Sequence, residues 1–336
     1  MGSQEGRPAG RLKLVKIPAG RQLVNVVGLL LIVAIFSTLS PYFLTVENLI
    51  NVLKQTATVA TVGGFFTLMM VAGGVDLSVS GVLVLGGVVS VILVNRGISI
   101  PIAFSAAVAV GLVVGIANGL LVAVARINTV IATLGTLYIT SGLTQVWTKG
   151  LTLAPTNYSY ANLGNGAIFD IPILVIVMLI AITIALVIER QTILGRRSVL
   201  TGSNAEAAHL SGVPTRLTLA ILFALTGAAA GWAGVMVSSQ LGAADPFADT
   251  TFAFEIIIAT LLGGTSILGG EGSVLGMLIG ALIVSSATVG MQLMGIPSFV
   301  ETVLTGLILL GAMTLDALSR RYRFRSRRRR AVEHAV

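Results

Sequence analysis

The stretch LTGSNAEAAHLSGVP, residues 200–214, puts a carboxylate, Glu206, three positions before an imidazole, His209, in a chain with few other groups able to do chemistry. The 336 residues hold two histidines and no cysteine. His209 and His334 each lack a second ligand at metal spacing, so neither builds a zinc-type centre. The missing cysteines remove disulfides and thiolate-held metals as well. A nucleotide-hydrolysing P-loop needs a Gly-Lys pair, because backbone amides and the ammonium together hold the phosphates. The lysines at 13, 16, 54 and 149 follow Leu12, Val15, Leu53 and Thr148 instead. The expectation is a chain with no catalytic residue, no metal and no cofactor.

Carriers coupled to protons or sodium place ionisable groups inside the membrane, where a charge is costly and is kept for function. Here Asp76, Glu255 and Glu271 lie at junctions between apolar runs. The runs themselves hold amides and hydroxyls such as Asn118, Thr133, Ser141, Gln145 and Gln292. In GGVDLS, two glycines precede Asp76, so the backbone can unwind there and a helix can restart with the carboxylate near its positive end. Two readings follow: Asp76 caps that helix with Ser78, or it lines a pathway or gate. Asp76, Ser78, Asn118, Thr133 and Gln292 are the candidates for a pathway.

Within 200–214, Ser203 and Glu206 have the S-x-x-E spacing of a capping box, in which each side chain satisfies a free amide at a helix start. Gly212 and then Pro214 supply a stop. A helix of about two turns is expected over Asn204 to Ser211, too short to span a bilayer. Its small face of Ala205, Ala207 and Ala208 suits either a plain connector or a helix seated in a partner's groove.

The elements that must position these residues are membrane helices. Apolar residues make up 55% of the chain and charged ones 10%, with a mean hydropathy of +0.97. Crossing about 30 Å of hydrocarbon takes about 20 helical residues. The apolar runs do not alternate as barrel strands would, so they read as helices. They fall near 23–39, 55–72, 77–94, 101–125, 128–147, 171–188, 217–239, 254–268, 273–294 and 299–318. The fold class is thus an all-α integral membrane protein of about ten transmembrane helices, with eight to eleven allowed by the glycine-rich junctions at 73–76 and 269–272. No separate soluble domain is expected: residues 1–22 form a basic segment, 23–318 one transmembrane domain with a loop at about 195–216, and 319–336 a basic tail.

Lysine and arginine gather on the cytoplasmic side of membrane proteins. Ten spans put both termini there, with Arg126, Arg190, Arg196, Arg197 and Arg216, and leave Lys54, Arg96 and Lys149 outside. The loops at 149–170 and 240–255 then face out, the second with Asp245 and Asp249. The formal charge of +8 and the tail SRRYRFRSRRRR fit anionic lipid beside a span rather than nucleic acid.

Glu206-Ala207-Ala208, followed after three residues by Gly212, resembles the EAA-x-x-x-G loop of bacterial ABC-importer permeases. AGGVDLSVSGVLVLGG from Ala72, IATLGTLYITSGL from Ile131, GRRSVLTGSNAEAAHLSGV from Gly195 and LLGGTSILGGEGSVLGMLIGALI from Leu261 are similar to the ribose-type sugar permeases. The resemblance implies a permease subunit in the bacterial cell membrane, forming the pathway for a small polar solute such as a monosaccharide. It implies that Glu206, Ala207, Ala208 and Gly212 couple to a separate cytoplasmic ABC ATPase. It further implies an extracytoplasmic solute-binding protein and a second permease subunit, as homodimer or heterodimer. The family pattern commonly has arginine at Ser141, asparagine at Val289 and glycine at Ser80, departures that bear on the solute. From the residues alone, an ion-coupled carrier and a membrane-embedded enzyme or scaffold stay open.

Overall fold

The computed structural model describes residues 19–247, 251–311, 313 and 314. The leader before Ala19, Asp249, the tail from 315 and His334 lie outside the described residues.

The chain folds as a helical bundle. Its long helices are α1 (Ala19–Leu39), α2 (Val46–Val71), α3 (Val79–Asn95), α4 (Ile100–Ala123) and α5 (Thr129–Thr148). Two short turns, a 3-10 turn (Tyr158–Ala161) and α6 (Asn162–Asn165), precede α7 (Ile173–Gln191), α8 (Ile193–Ser203) and α9 (Ala205–Leu210). The bundle continues with α10 (Thr215–Leu241), α11 (Thr251–Leu262) and α12 (Val274–Leu293), then α13 (Ser298–Gly311). Of these, α4, α7, α10 and α12 are long and apolar enough to cross a membrane by length and composition alone, while α3, α11 and α13 are shorter apolar helices.

Two boundaries differ from the apolar runs for physical reasons. Helix α2 begins at Val46, not near 55, because Thr45 caps it, its hydroxyl accepting from Asn48 N–H at 3.4 Å. The polar turns after that cap are helical even though they are not hydrocarbon. Helix α11 stops at Leu262, because Gly264, Gly269 and Gly270 take φ of 89°, 84° and 79°, a left-handed region that ends a helix.

Helix α10 lies between α4, α3 and α2, and α12 packs on α2 and α11. The α4–α10 seam is backbone on backbone: a Cβ at Gly115 would meet the carbonyl of Phe223, and one at Gly119 would stand 2.8 Å from Ala220 Cα. Such close approach is how helices associate where lipid is as apolar as a neighbouring helix. The core between helices holds Phe66, Met69, Met70, Phe223, Ile256 and Met277. Ile102, Val113, Ile139, Val146 and Leu179 point outward and are exposed, the surface expected to meet hydrocarbon.

The loop between α5 and α7 adds something the all-α expectation omits. Strands β1 (Ala167–Ile168) and β2 (Ile171–Pro172) form an antiparallel hairpin. Phe169 and Asp170 turn it with φ of 51° and 61°, the doubly left-handed geometry of a tight hairpin.

Candidate functional site

Two adjoining cavities open among α2, α3, α10, α11 and α12. The first, of about 340 Å³, is lined by Asn48, Asn51, Lys54, Gln55, Gln240 and Gln292, with Val289 and Leu293. The second, of about 420 Å³, shares Gln55 and Gln240 and runs on past Thr58, Ser80, Ser238, Asp245, Phe252 and Glu255. Volumes of this order suit small-molecule sites, which span roughly 300–1,000 Å³. Amides and hydroxyls both donate and accept, so this lining can follow a solute rich in hydroxyls. Gln292 is therefore on a cavity wall.

Asp76, Ser78 and Asn118 do come together, but as a knot inside the bundle rather than on the wall. Asp76 is 1% exposed, and Ser78 and Asn118 are fully buried. The Asp76 carboxylate accepts from Ser78 N–H at 2.8 Å and from the Ser78 hydroxyl at 2.5 Å. The Asn118 amide donates to Ser78 Oγ at 2.8 Å and stands 3.5 Å from each carboxylate oxygen. Thr136 donates to Asn118 Oδ1 at 2.6 Å, so α3, α4 and α5 are tied through one amide. Ser80, two residues beyond Ser78, lines the larger cavity. Thr133 is buried as well, and its hydroxyl donates along its own helix to the Thr129 carbonyl at 2.8 Å.

The segment 195–216 is an arm of two helices. The cap differs from the one read in the sequence. Ser203 ends α8, and its hydroxyl is engaged with the Val199 carbonyl at 2.7 Å. Asn204 takes the extended conformation and caps α9, its Oδ1 accepting from Ala207 N–H at 2.9 Å. The capping box is not formed, because the preceding turn is already helical. Glu206 stands in the first turn, where the helix dipole favours its charge. The small face is divided. Ala205, Glu206 and Ala207 are exposed, while Ala208, at 6% exposure, turns onto the chain itself. Leu210, at 82%, projects from the end of α9. Gly212 has φ +82°, and a Cβ built there would meet nothing within 4 Å, so it is the backbone conformation of the turn into α10 that needs the freedom of glycine.

At the opposite end of α10, the loop before α7 is pinned by Tyr160, a residue that sequence reasoning passed over. Its phenol is fully buried and lies 2.6 Å from Ser90 Oγ and 2.6 Å from Ser238 Oγ. Burial pushes this phenol above its ordinary value, with the two serine hydroxyls partly opposing, so it stays a neutral donor and acceptor. Ser239 donates to the Tyr160 carbonyl at 2.6 Å and accepts from Gly164 N–H at 2.7 Å. Leu153 and Ala244 exchange both backbone bonds, at 3.0 and 2.8 Å. The loop thus grips α10 beside Gln240, which lines both cavities. Only the aromatic followed by polar residues in TNYSYANLG hinted at this anchor.

Two of the family departures, Ser80 and Val289, are wall residues of these cavities, and the Ser80 hydroxyl also accepts from Ala253 N–H at 2.9 Å. Ser141, the third, is on α5 outside them.

The family described as "Branched-chain amino acid transport system / permease component" matches residues 48–313. The ribose import permease protein of Escherichia coli (strain K12) is 34% identical, over 87% of this chain and 92% of that protein. The L-arabinose ABC transporter permease protein of Azospirillum brasilense is 31% identical, over 90% of each chain. The D-allose transport system permease protein of Escherichia coli (strain K12) is 33% identical, over 86% of this chain and 90% of that protein. No solved structure matches the chain.

Proposed function

We infer the function from one premise: the chain belongs to the permease-component family of the branched-chain amino acid transport system type, and within it to the ribose-type permeases of bacterial sugar importers. It is a multi-pass membrane subunit that forms the translocation pathway for a monosaccharide in an ATP-driven importer. The observation that carries this reading is the pair of cavities joined at Gln55 and Gln240, whose amides and hydroxyls match the hydroxyls of a sugar. The family description names amino acids, whereas the relatives named above are permeases for ribose, arabinose and allose; identity over nearly the whole chain favours the sugar.

In this reading ten helices span the membrane: α1 to α5, α7 and α10 to α13. Both termini and the α8–α9 arm face the cytoplasm, and the Tyr160 loop and the cavity mouth face out. Residues 23–318 act as one transmembrane domain between basic ends. The arm, through Glu206, Ala207 and Gly212, docks on a separate ABC ATPase, and Ala208 holds it to the chain. A solute-binding protein delivers at the mouth, and a second permease subunit completes the pathway. The Asp76–Ser78–Asn118 knot closes the pathway beneath Ser80, with Thr133 on α5 one turn before the Thr136 that bonds Asn118.

The test is uptake of D-ribose into vesicles holding the whole complex with its ATPase and binding protein. ATP-dependent uptake is expected. Uptake driven by an ion gradient with the chain alone would replace this reading with a carrier. Tight binding of an amino acid and no sugar by the binding protein would overturn the solute.

A further inference from the structure

The α8–α9 arm touches the bundle at a second place besides its own turn into α10. Gly202, near the end of α8, lies on the Val71 carbonyl and on the Gly270 amide. A Cβ built there would run into both, standing 2.6 Å from Gly270 N. The same Val71 carbonyl accepts a hydrogen bond from Gly270 N–H at 2.8 Å. A Cβ at Gly269 would be 3.0 Å from both Gly202 Cα and Val71 O, and one at Gly270 would be 2.9 Å from Ser203 Oγ. Three backbones therefore cross with no side chain between them: the arm, the last residue of α2, and the turn from α11 into α12.

A second link lies beside this crossing. Glu189, near the end of α7, accepts from Val274 N–H, the first residue of α12, at 3.2 Å. A carboxylate at a helix N-terminus is favoured by the dipole, so the chain leading into the arm is tied to the start of α12.

The helices held here are the ones that wall the cavities at their other ends. Helix α2 contributes Asn51 and Gln55, and α12 contributes Val289 and Gln292. Side chains in a contact can absorb a displacement by changing rotamer, but backbone lying on backbone cannot, because close-packed interiors hardly compress. We propose that the crossing of Gly202 over Val71 and Gly269–Gly270 is where movement of the arm is delivered to α2 and α12, making Gly202 and Gly270 positioning residues for the cavity. This rests on the reading of the chain as the permease of an ATP-driven importer.

The chain has no cysteine, so Asn51→Cys gives a single thiol on the cavity wall as a reporter. The whole complex, isolated through the ATPase that co-purifies and placed in lipid nanodiscs, is labelled with a polar maleimide with and without ATP and vanadate. With Gly202 in place, the labelling rate is expected to change several-fold on trapping. Gly202→Ala, and independently Gly270→Ala, bring that ratio close to one while ATP hydrolysis per complex continues. Gly142→Ala, where an added Cβ meets nothing within 4 Å, keeps the full ratio. Because the ratio compares two states of one preparation, a lower yield of folded complex does not move it. A full ratio in both Gly202→Ala and Gly270→Ala overturns the proposal. No response to nucleotide with Gly202 in place overturns the ATP-driven reading itself, and the proposal with it.

Discussion

Replacing Tyr160 by phenylalanine removes one oxygen and leaves the ring, so it isolates what the phenol contributes. The oxygen lies 2.6 Å from each of Ser90 Oγ and Ser238 Oγ. Both serines keep an alternative acceptor in their own helix, Gly87 O at 2.7 Å for Ser90 and Val235 O at 3.2 Å for Ser238. No donor is left orphaned, and because the ring remains there is no large cavity to add to the cost. The three hydroxyls donate three bonds and the two serines alone still donate two, so the net loss is one hydrogen bond, about 0.5–1.5 kcal/mol. If that energy holds the loop to α10, its opening becomes roughly 2- to 13-fold more frequent. Native-state amide exchange reads this directly. The Gly164 amide, bonded to Ser239 Oγ at 2.7 Å, and the Ala244 amide, bonded to Leu153 O at 2.8 Å, should lose protection by that factor in Tyr160→Phe. Amides in the middle of α4 should not change. Unchanged exchange at Gly164 and Ala244 would refute the reasoning, leaving Ser239 and the backbone pair as the whole of the anchor.

The remaining predictions concern the arm, the knot and the cavity. Gly212 has φ +82° in open space, so Gly212→Val is expected to cost about 1–3 kcal/mol by backbone strain alone and to abolish ATP hydrolysis linked to transport. Gly212→Asn, which tolerates the left-handed region, should retain most of it; equal loss in both would refute the strain argument. Ala208→Trp should disorder the arm because Ala208 is 6% exposed, seen as faster proteolysis at 200–214 in the inserted chain. Asn118→Leu removes the amide that links Ser78 and Thr136 and should lower stability by about 1–3 kcal/mol, measured by thermal unfolding in detergent. Ser80→Gly and Val289→Asn restore the commoner family residues on the cavity wall and should shift the KM for uptake of the transported monosaccharide more than kcat.

Much of the architecture was legible without coordinates, and the reason is the bilayer. Hydrocarbon obliges each segment to satisfy its own backbone, so a long uncharged run has one outcome, a helix, whatever surrounds it. That is why the apolar runs coincide with the long helices to within a few residues, and why α2 and α11 depart only where a cap or a row of glycines overrides hydropathy. Gly212 was legible too, since Gly followed by Pro after a short helix demands a left-handed stop. The cap of α9 was misjudged because S-x-x-E is a local pattern, and whether Ser203 is free to cap depends on the helicity of the turn before it.

What the sequence determined by itself is therefore the set of helices and the resemblance carried by Glu206-Ala207-Ala208 and its companion stretches. Which faces meet was decided only in three dimensions. Lipid is as apolar as a neighbouring helix, so an apolar pattern does not say what a helix packs against; backbone shape and scattered polar pairs say it. The partners of Asp76 on Asn118, of Tyr160 on Ser90 and Ser238, and of Val71 on Gly202 and Gly270 lie far apart in the chain. Ser80 and Val289, marked in the sequence only as departures from the family pattern, become walls of adjoining cavities because α2, α3, α10, α11 and α12 bring them there.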